Sequence, residues 1–233
     1  MKQEVERVIH NYFTSLMSMY RLLVEDPIFL LMLLLARLLA MLIAVSFHEW
    51  AHAFAAYKLG DPTAKNMGRM SLDPMKHLNG IGVLAFMLFG IGWARPVIVN
   101  SSNLKHYRRD DIIISLAGVL MNLALSFVFY GIYFGLAVGL GVTSEIVTLI
   151  METIIVMNIS FAVFNILPIP PLDGYHVLSS LFIRKNFKVV QFFQRYGFII
   201  LLVLVVSGVT GTVIGYVVDG LWSLYFRFFM LFV

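Results

Sequence analysis

Residues 27–54 read PIFLLMLLLARLLAMLIAVSFHEWAHAF, and this stretch decides the fold class. Its apolar run, from residue 28 to residue 47, is about 20 residues or ~30 Å of helix, which is enough to cross the hydrocarbon core of a bilayer. We therefore predict a first transmembrane span from Ile28 to about Tyr57. The ionisable motif His48-Glu49-Trp50-Ala51-His52 is expected near the far end of this span.

The composition of the whole chain is typical of a protein that crosses the membrane several times. Of its 233 residues, 60% are hydrophobic and only 13% are charged, with a mean hydropathy of +0.88. Soluble domains carry about twice that charged fraction. The chain has no Cys, which excludes disulfides and thiolate metal sites, so a transition metal must be held by His, Asp or Glu. Lys and Arg lie in the loops, so the net charge of +4 indicates membrane orientation and not nucleic-acid binding.

Further apolar runs predict three more spans, at about residues 111–140, 146–167 and 196–218. The segment between the first two spans, residues 61–109, is mixed in character. Its apolar run is too short to cross a bilayer, so we expect a small re-entrant or extended region there. Within this region, the stretches 67–72 and 96–100 are predicted to be extended.

The expected fold is an all-α polytopic membrane protein, a bundle of about four to six transmembrane helices in one membrane-embedded domain over residues 1–233. Residues 1–25 show apolar residues at helical spacing with charges between them, which predicts an amphipathic interfacial helix. Residues 28–218 form the expected functional core. Residues 219–233 are apolar and aromatic, and we predict that they form an interfacial tail.

His48 and His52 have the spacing of two ligands of one metal ion. Residues four apart share a helix face, so both imidazoles can bind a single zinc ion. Glu49 is offset by one residue, beside the metal without binding it, where a carboxylate can take a proton from water and pass it to a leaving amine. The alternative is a set of polar residues that face a wet cavity. Ionisable groups at the edge of a membrane are costly without a purpose, which favours the metal site.

A catalytic zinc ion needs a third protein ligand, for which Asp173 is the candidate. It follows Pro168, Pro170 and Pro171, which end the third span, and this span runs towards the same side of the membrane as the first. The carboxylate and the two histidines should therefore meet at a similar depth. The alternative role of Asp173, as a helix N-cap, is compatible with metal binding.

Asn122 lies about three turns into the second span, near the expected depth of the histidines. Its amide could donate a hydrogen bond to the oxyanion that develops in acyl transfer, which would make it a catalytic residue. It could equally form an interhelical hydrogen bond. The residues alone leave both roles open.

Six short motifs, in order along about residues 40 to 217, give the chain a more specific resemblance. They are His48-Glu49-Trp50-Ala51-His52, Gly68 to Pro74, Gly92 to Val97, Arg108 to Asp111, Ala117 to Asn122 and Asn165 to Gly174. With these motifs the chain resembles the site-2 protease family of intramembrane metalloproteases, in its compact prokaryotic branch without a PDZ domain. The departures from the family pattern, at Asn79-Gly80, Ile98 and Val119, remove no proposed catalytic group.

The resemblance implies that His48, His52 and Asp173 bind one zinc ion per chain and that Glu49 is the catalytic base. Members of this family cut transmembrane segments of membrane-bound proteins, often regulators whose release changes transcription. The expected function is therefore zinc-dependent hydrolysis of peptide bonds within transmembrane segments, as in regulated intramembrane proteolysis. Two alternatives are a catalytically idle zinc-binding membrane scaffold, which would not need Glu49, and a metal transporter, which would need ionisable residues along its whole path.

The expected partners are a transmembrane protein substrate and the lipid bilayer, with no nucleic acid. The oligomeric state is left open, with a dimer as one alternative. The segments 58–109 and 184–195 carry eight and four Lys and Arg residues, whereas the turn 141–145 carries none. The positive-inside rule therefore predicts a multi-pass protein of a prokaryotic plasma membrane with its active site towards the cytosol.

Overall fold

The computed structural model describes residues 16–89, 92–142, 144–182 and 187–233. Within these ranges the secondary structure is helical and contains no strand, which confirms the all-α class. The eight principal helices of the described residues are α1 (Leu16–Glu25), α2 (Pro27–Lys58), α3 (Gly80–Phe89), α4 (Tyr107–Phe134), α5 (Glu145–Asn165), α6 (Asp173–Phe182), α7 (Phe187–Val206) and α8 (Val209–Phe229).

Five helices in the described part of the chain are long and apolar enough to cross a membrane, which agrees with the expected bundle of about four to six. They are Pro27–Lys58, Tyr107–Gly139, Glu145–Asn165, Phe187–Val206 and Val209–Phe232. The predicted interfacial helix over residues 1–25 lies largely outside the described residues. Only α1 is described there, and it packs on α2.

The first span begins at a well-formed N-cap. The side chain of Asp26 accepts a hydrogen bond from the backbone N–H of Phe29 at 2.9 Å, and Pro27 occupies the first helical turn, where its missing N–H is not needed. The helix continues without interruption through His48 and His52. Gly60, at φ 107°, then turns the chain back towards the helix end.

Helices α2, α4 and α5 pack on one another and form the centre of the molecule, and α6 packs on α4. Ala40 and Ala44 of α2 are fully buried in the main core, where their small side chains let the neighbouring backbones approach closely. Ile155 and Ile159 of α5 are also fully buried in this cluster. This tight three-helix centre is what holds the polar residues of α2 at a fixed position.

The prediction for the last third of the chain was wrong in its boundaries. The single span expected at 196–218 is two helices, α7 and α8, separated at Gly208, which has φ 78° and reverses the chain. The expected interfacial tail over residues 219–233 is the second half of α8. Its Trp222 and Tyr225 are buried and form edge contacts with Tyr130, so aromatic packing draws this segment into the bundle.

The region between α2 and α4, expected to be re-entrant or extended, contains the short helix α3, which is too short to cross a bilayer. The stretch 67–72 is not extended, because Gly68 adopts φ 68° in a turn. An isolated antiparallel bridge pairs Leu78 with Ala94. The stretch 96–100 has no regular structure, but its side chains alternate between partly buried and exposed, as expected of a strand-like segment that lies on the bundle.

Candidate metal centre

Three potential metal ligands converge where α2 meets the start of α6. The Nε2 atoms of His48 and His52 are 3.0 Å apart, as expected for residues one turn apart on a helix. Oδ2 of Asp173 lies 3.1 Å from Nε2 of His48 and 3.2 Å from Nε2 of His52. The three atoms form a nearly equilateral triangle, and the structure brings together the three residues that the sequence predicted as ligands.

The second nitrogen of each imidazole fixes its tautomer. Nδ1 of His52 lies 2.7 Å from the backbone carbonyl of Ile114, and Nδ1 of His48 lies 2.7 Å from Oδ1 of Asn122. Both partners are oxygen acceptors, so each Nδ1 must carry the hydrogen. In the neutral imidazoles the Nε2 lone pairs are therefore directed at each other and at the carboxylate.

This donor set fits a divalent cation. Two lone pairs and a carboxylate oxygen about 3 Å apart repel one another unless a positive charge lies between them. Oδ2 of Asp173 is also buried without a hydrogen-bond donor. In a tetrahedral zinc site with bonds of about 2.0–2.1 Å, ligand atoms are about 3.3 Å apart, close to the distances found here. Two histidines and one carboxylate leave the fourth position for water.

Asn122 is the main partner of His48 and is fully buried. Its Nδ2 donates to the backbone carbonyl of Ala44 at 3.0 Å and to Oδ1 of Asn158 at 2.9 Å. The amide is thus fixed with its oxygen towards His48. Both amide hydrogens are engaged, so donation to an oxyanion would require one of these bonds to break. The geometry favours the interhelical hydrogen bond that the sequence offered as the alternative role of Asn122.

Asp173 is placed by the proline-rich turn that the sequence indicated. This turn follows α5, and Asp173 is the first residue of α6. A Cβ at Gly197 of α7 would lie 2.5 Å from Cγ of Pro170, so the absence of a side chain lets α7 pack closely against the turn. Burial raises the pKa of the Asp173 carboxyl, but the positive charge of the His52 and His48 imidazoles in their protonated form outweighs burial and holds this pKa well below its usual range. Asp173 therefore presents a carboxylate to the site.

Glu49 is buried next to His48, and a segment outside the helix holds its carboxylate. The backbone N–H of Val97 donates to Oε2 of Glu49 at 2.9 Å. The hydrogen bond fixes one carboxylate oxygen of the predicted base. It also places the strand-like segment 96–100 directly beside the site.

Gly118 of α4 lies directly against both histidines. A Cβ at this position would lie 2.5 Å from Nε2 of His52 and 2.6 Å from Cε1 of His48. Contacts below 3.0 Å are not tolerated by real side chains, so only glycine fits at this position. Gly118 therefore permits α4 to deliver Asn122 and the carbonyl of Ile114 to the imidazoles.

The sequence interpretation missed Asn158 and the amide of Val97 as parts of the site. Asn158 offered a signal, since a buried polar residue in an apolar span needs a partner. Val97 offered none, because its contribution is a backbone N–H that any residue other than proline supplies.

Comparison with known proteins is consistent with this geometry. The family model described as Peptidase family M50 matches residues 141–204. The chain is 36% identical over 173 residues to "Putative zinc metalloprotease YwhC" of Bacillus subtilis, a match that covers 72% of this chain and 79% of that protein. It is 29% identical to "Putative zinc metalloprotease Rip2" of Mycolicibacterium smegmatis and 28% identical to Rip2 of Mycobacterium tuberculosis. Those matches cover 71% and 70% of this chain but only 64% and 63% of the two Rip2 proteins. No solved structure matches the chain.

Proposed function

The chain belongs to peptidase family M50, the site-2 protease family, and from this premise we propose that it is an intramembrane zinc metalloprotease. Its reaction would be hydrolysis of peptide bonds within transmembrane segments of other membrane proteins. The observation that carries the proposal is the convergence of His48, His52 and Asp173 inside a bundle of apolar helices, with Glu49 beside them. A site for metal storage or stability would have no need of that fourth, uncoordinated carboxylate.

The residues divide the work of the reaction between them. His48, His52 and Asp173 would hold the zinc ion, which when bound supplies Lewis acidity that lowers the pKa of water and polarises a carbonyl. Glu49 takes a proton from the attacking water and delivers it to the leaving nitrogen. The hydrogen bond from Val97 engages Oε2 of Glu49 and leaves Oε1 as the oxygen that would transfer the proton. Asn122 keeps His48 in the tautomer that binds metal.

The substrate must arrive as an unwound segment. In an intact helix each carbonyl is engaged four residues along, so a transmembrane substrate has to open locally before it can be attacked. The strand-like segment 96–100 lies beside Glu49, and Ile98 is exposed on it. Backbone groups of this segment can pair with an unwound substrate as an added strand. Substrates with Gly, Pro or Asn near the cleavage point would open more readily.

The active site is proposed to open towards the cytosol. The end of α2, the start of α4 and the end of α5 lie on one side of the bundle, together with the basic segments 58–109 and 187–195. Five spans also bring Arg227, in the last turn of α8, to this side. Basic residues accumulate on the cytosolic side of membrane proteins.

Orientation can be tested with single cysteines, because the chain has none of its own. A Cys in place of Lys105 should react with an impermeant thiol reagent only from the cytosolic side, and a Cys in place of Ser144 only from the other. Both positions are exposed. The opposite labelling pattern would overturn the orientation and leave the zinc chemistry untouched.

Glu49→Gln tests the enzymatic function itself. The variant should bind zinc as the wild type does but cleave a transmembrane reporter at least ~10²-fold more slowly, since the amide cannot accept the proton. Glu145→Gln is the matched control, because Glu145 is exposed in the first turn of α5, far along the chain from the site. Zinc-loaded wild type that cleaves no transmembrane reporter would favour the idle scaffold, and full activity in Glu49→Gln would exclude this base.

Asp173→Ala tests the ligand set without relying on activity. Removal of the carboxylate should lower the zinc content of the purified protein as much as His48→Ala does, because each variant leaves only two protein ligands. Metal analysis of the three proteins side by side gives the answer. Unchanged zinc in the Asp173 variant would contradict its assignment.

A further inference from the structure

A second buried carboxylate lies beyond the metal site, at the turn after α2. Asp61 has no exposed surface. Its Oδ1 accepts hydrogen bonds from the backbone N–H of Thr63 at 3.0 Å and from Nδ2 of Asn103 at 2.7 Å. Its Oδ2 accepts from the backbone N–H of Asn100 at 2.7 Å. The partners of this carboxylate come from two stretches of chain about 40 residues apart, so the hydrogen bonds join distant parts of the sequence.

Local turn formation does not explain this arrangement. Asp73 forms a comparable turn, in which its side chain accepts from the backbone N–H of Met75 at 3.0 Å, and it does so while exposed to solvent. Burying a carboxylate is costly unless it is fully hydrogen-bonded. Asp61 accepts from the backbone N–H and the hydroxyl of Thr63, which are local donors, and in addition from the long-range donors of Asn100 and Asn103. What distinguishes Asp61 is therefore its link to the segment that passes the active site.

That segment is held at both ends by carboxylates. The amide of Val97 donates to Glu49, and three residues later the amide of Asn100 donates to Asp61. Three extended residues span about 10 Å, so the two hydrogen bonds stretch the segment along the last turns of α2. Between them, Val99 packs against a small cluster with Ala56 of α2. The register of the segment relative to the helix is thus defined by its two ends.

One of these ends is the predicted catalytic base. If the segment slid by one residue, the position of the Val97 amide would be taken by a neighbouring residue and the side chains would exchange faces. The hydrogen bond to Glu49 would then be lost or misdirected. The link at Asp61 opposes such a slip, because Oδ2 accepts from one particular amide.

We propose that Asp61 is a positioning residue of the protease: by holding the amide of Asn100 it fixes the register of segment 96–100, so that the amide of Val97 orients Glu49. The inference rests on the proposed function for its effect on catalysis. Its structural half, the control of the segment by Asp61, is independent of any activity.

The substitution Asp61→Asn disrupts this set of hydrogen bonds with little change in volume. One acceptor oxygen becomes an NH2 group, so a donor then faces the N–H of Asn100 or the donors on the other side. Asp73→Asn is the matched control: the same chemical change in a turn of the same loop region, at an exposed carboxylate that accepts a local hydrogen bond from the amide of Met75.

Hydrogen exchange tests the structural half. In Asp61→Asn, peptides that cover residues 97–103 should exchange faster than in the wild type, whereas peptides from α2 and α5 should not change. Asp73→Asn should leave the 97–103 peptides as they are. Unaltered exchange at 97–103 in Asp61→Asn would overturn the proposal, whether or not the protein cleaves any substrate.

Kinetics per bound zinc test the catalytic half. Asp61→Asn should lower kcat for a transmembrane reporter roughly 10- to 100-fold, the scale of a misplacement of about 1 Å, with zinc content unchanged. Val97→Pro removes the same amide from Glu49 and should lower kcat comparably. In the Val97→Pro background, Asp61→Asn should have little further effect, because both act through one hydrogen bond. The proposal would be overturned if the losses of kcat in Asp61→Asn and Val97→Pro were fully additive, or if zinc content fell in proportion to activity. Either result would show that Asp61 does not act through the hydrogen bond between Val97 and Glu49.

Discussion

The most direct test of the metal centre is the substitution Gly118→Ala, which adds a single methyl group. In Gly118→Ala the added Cβ would lie 2.5 Å from Nε2 of His52 and 2.6 Å from Cε1 of His48. Comfortable contacts between such atoms are about 3.5 Å or longer, so the overlap is about 1 Å on both rings. Gly118 lies inside α4, whose backbone is tied into the bundle centre and cannot retreat freely. The imidazoles must therefore move.

The expected size of the effect follows from the tolerance of metal sites. Zinc ligands are placed to within about 0.2 Å, so a displacement of about 1 Å spoils the convergence of the two nitrogens with Asp173. Overpacking of a well-packed interior costs about 1–3 kcal/mol. If the strain is released when the imidazoles leave the metal-binding arrangement, zinc affinity falls roughly 10- to 100-fold.

Chelator competition on the purified protein measures this loss directly. Gly215→Ala is the control, since it makes the same change inside a membrane helix where a Cβ would meet nothing within 4 Å. We expect wild-type zinc affinity in Gly215→Ala and equal or slightly higher stability, because alanine favours the helix. Wild-type zinc affinity in Gly118→Ala would refute the packing argument and the placement of α4 against the histidines.

Three further predictions address other parts of the structure. Asn158→Leu, which leaves one amide hydrogen of Asn122 unpaired, should weaken zinc binding roughly 10-fold in the same chelator assay, and an unchanged affinity would mean that Ala44 alone orients the amide. Burial raises the pKa of Asp61, but hydrogen bonds from Thr63, Asn103 and Asn100 outweigh burial and lower that pKa below 3.8. The stability that the Asp61 carboxylate contributes is therefore present above pH 3.8 and is lost as the pH falls through the lowered pKa. Denaturation at a series of pH values should therefore show the stability difference between the wild type and Asp61→Asn shrinking only in acid. Gly208→Val forces a β-branched residue to φ 78° and should lower the unfolding temperature, at a cost of at least about 1–2 kcal/mol, without lowering zinc affinity.

The convergence of the three predicted ligands, with Glu49 beside them, could be predicted from sequence because it depends on simple geometry. The positions of His48, His52 and Glu49 follow from helix periodicity alone, which fixes the faces of residues one and four apart. Asp173 followed from topology, since two spans that run in the same direction end on the same side. Neither argument needs side-chain packing. The structure accordingly places the three ligand atoms within 3.2 Å of each other.

The boundaries of the last two helices could not be predicted in the same way. The run from 196 to 218 is uniformly apolar, and hydropathy does not distinguish one helix from the end of one and the start of another. The reversal depends on Gly208, whose positive φ is a property of one residue. The following helix is drawn into the bundle by Trp222 and Tyr225, whose partner Tyr130 is about 90 residues earlier in the chain. Contacts at such a distance leave no local pattern.

The role of Asn122 depended on a choice that sequence does not encode. Depth placed its side chain near the histidines, but an amide there can face the substrate or the metal ligand. The direction is decided by Ala44 and Asn158, which take both of its hydrogens. These partners lie on two other helices, so only the packing of all three determines which way the amide points.

The solvent exposure of the three predicted ligands indicates a route by which water can reach the site while lipid is kept out. The side chains of His48, His52 and Asp173 are 4%, 9% and 20% exposed, so accessibility rises from the bundle centre towards the start of α6. Asp173 lies at the end of the bundle where the basic segments gather, whereas Glu49 is covered by the segment that carries Val97. We infer that water enters past Asp173 and an unwound substrate past segment 96–100. Two separate approaches would let the membrane face of α2 stay closed to water while a substrate peptide bond reaches the proposed base.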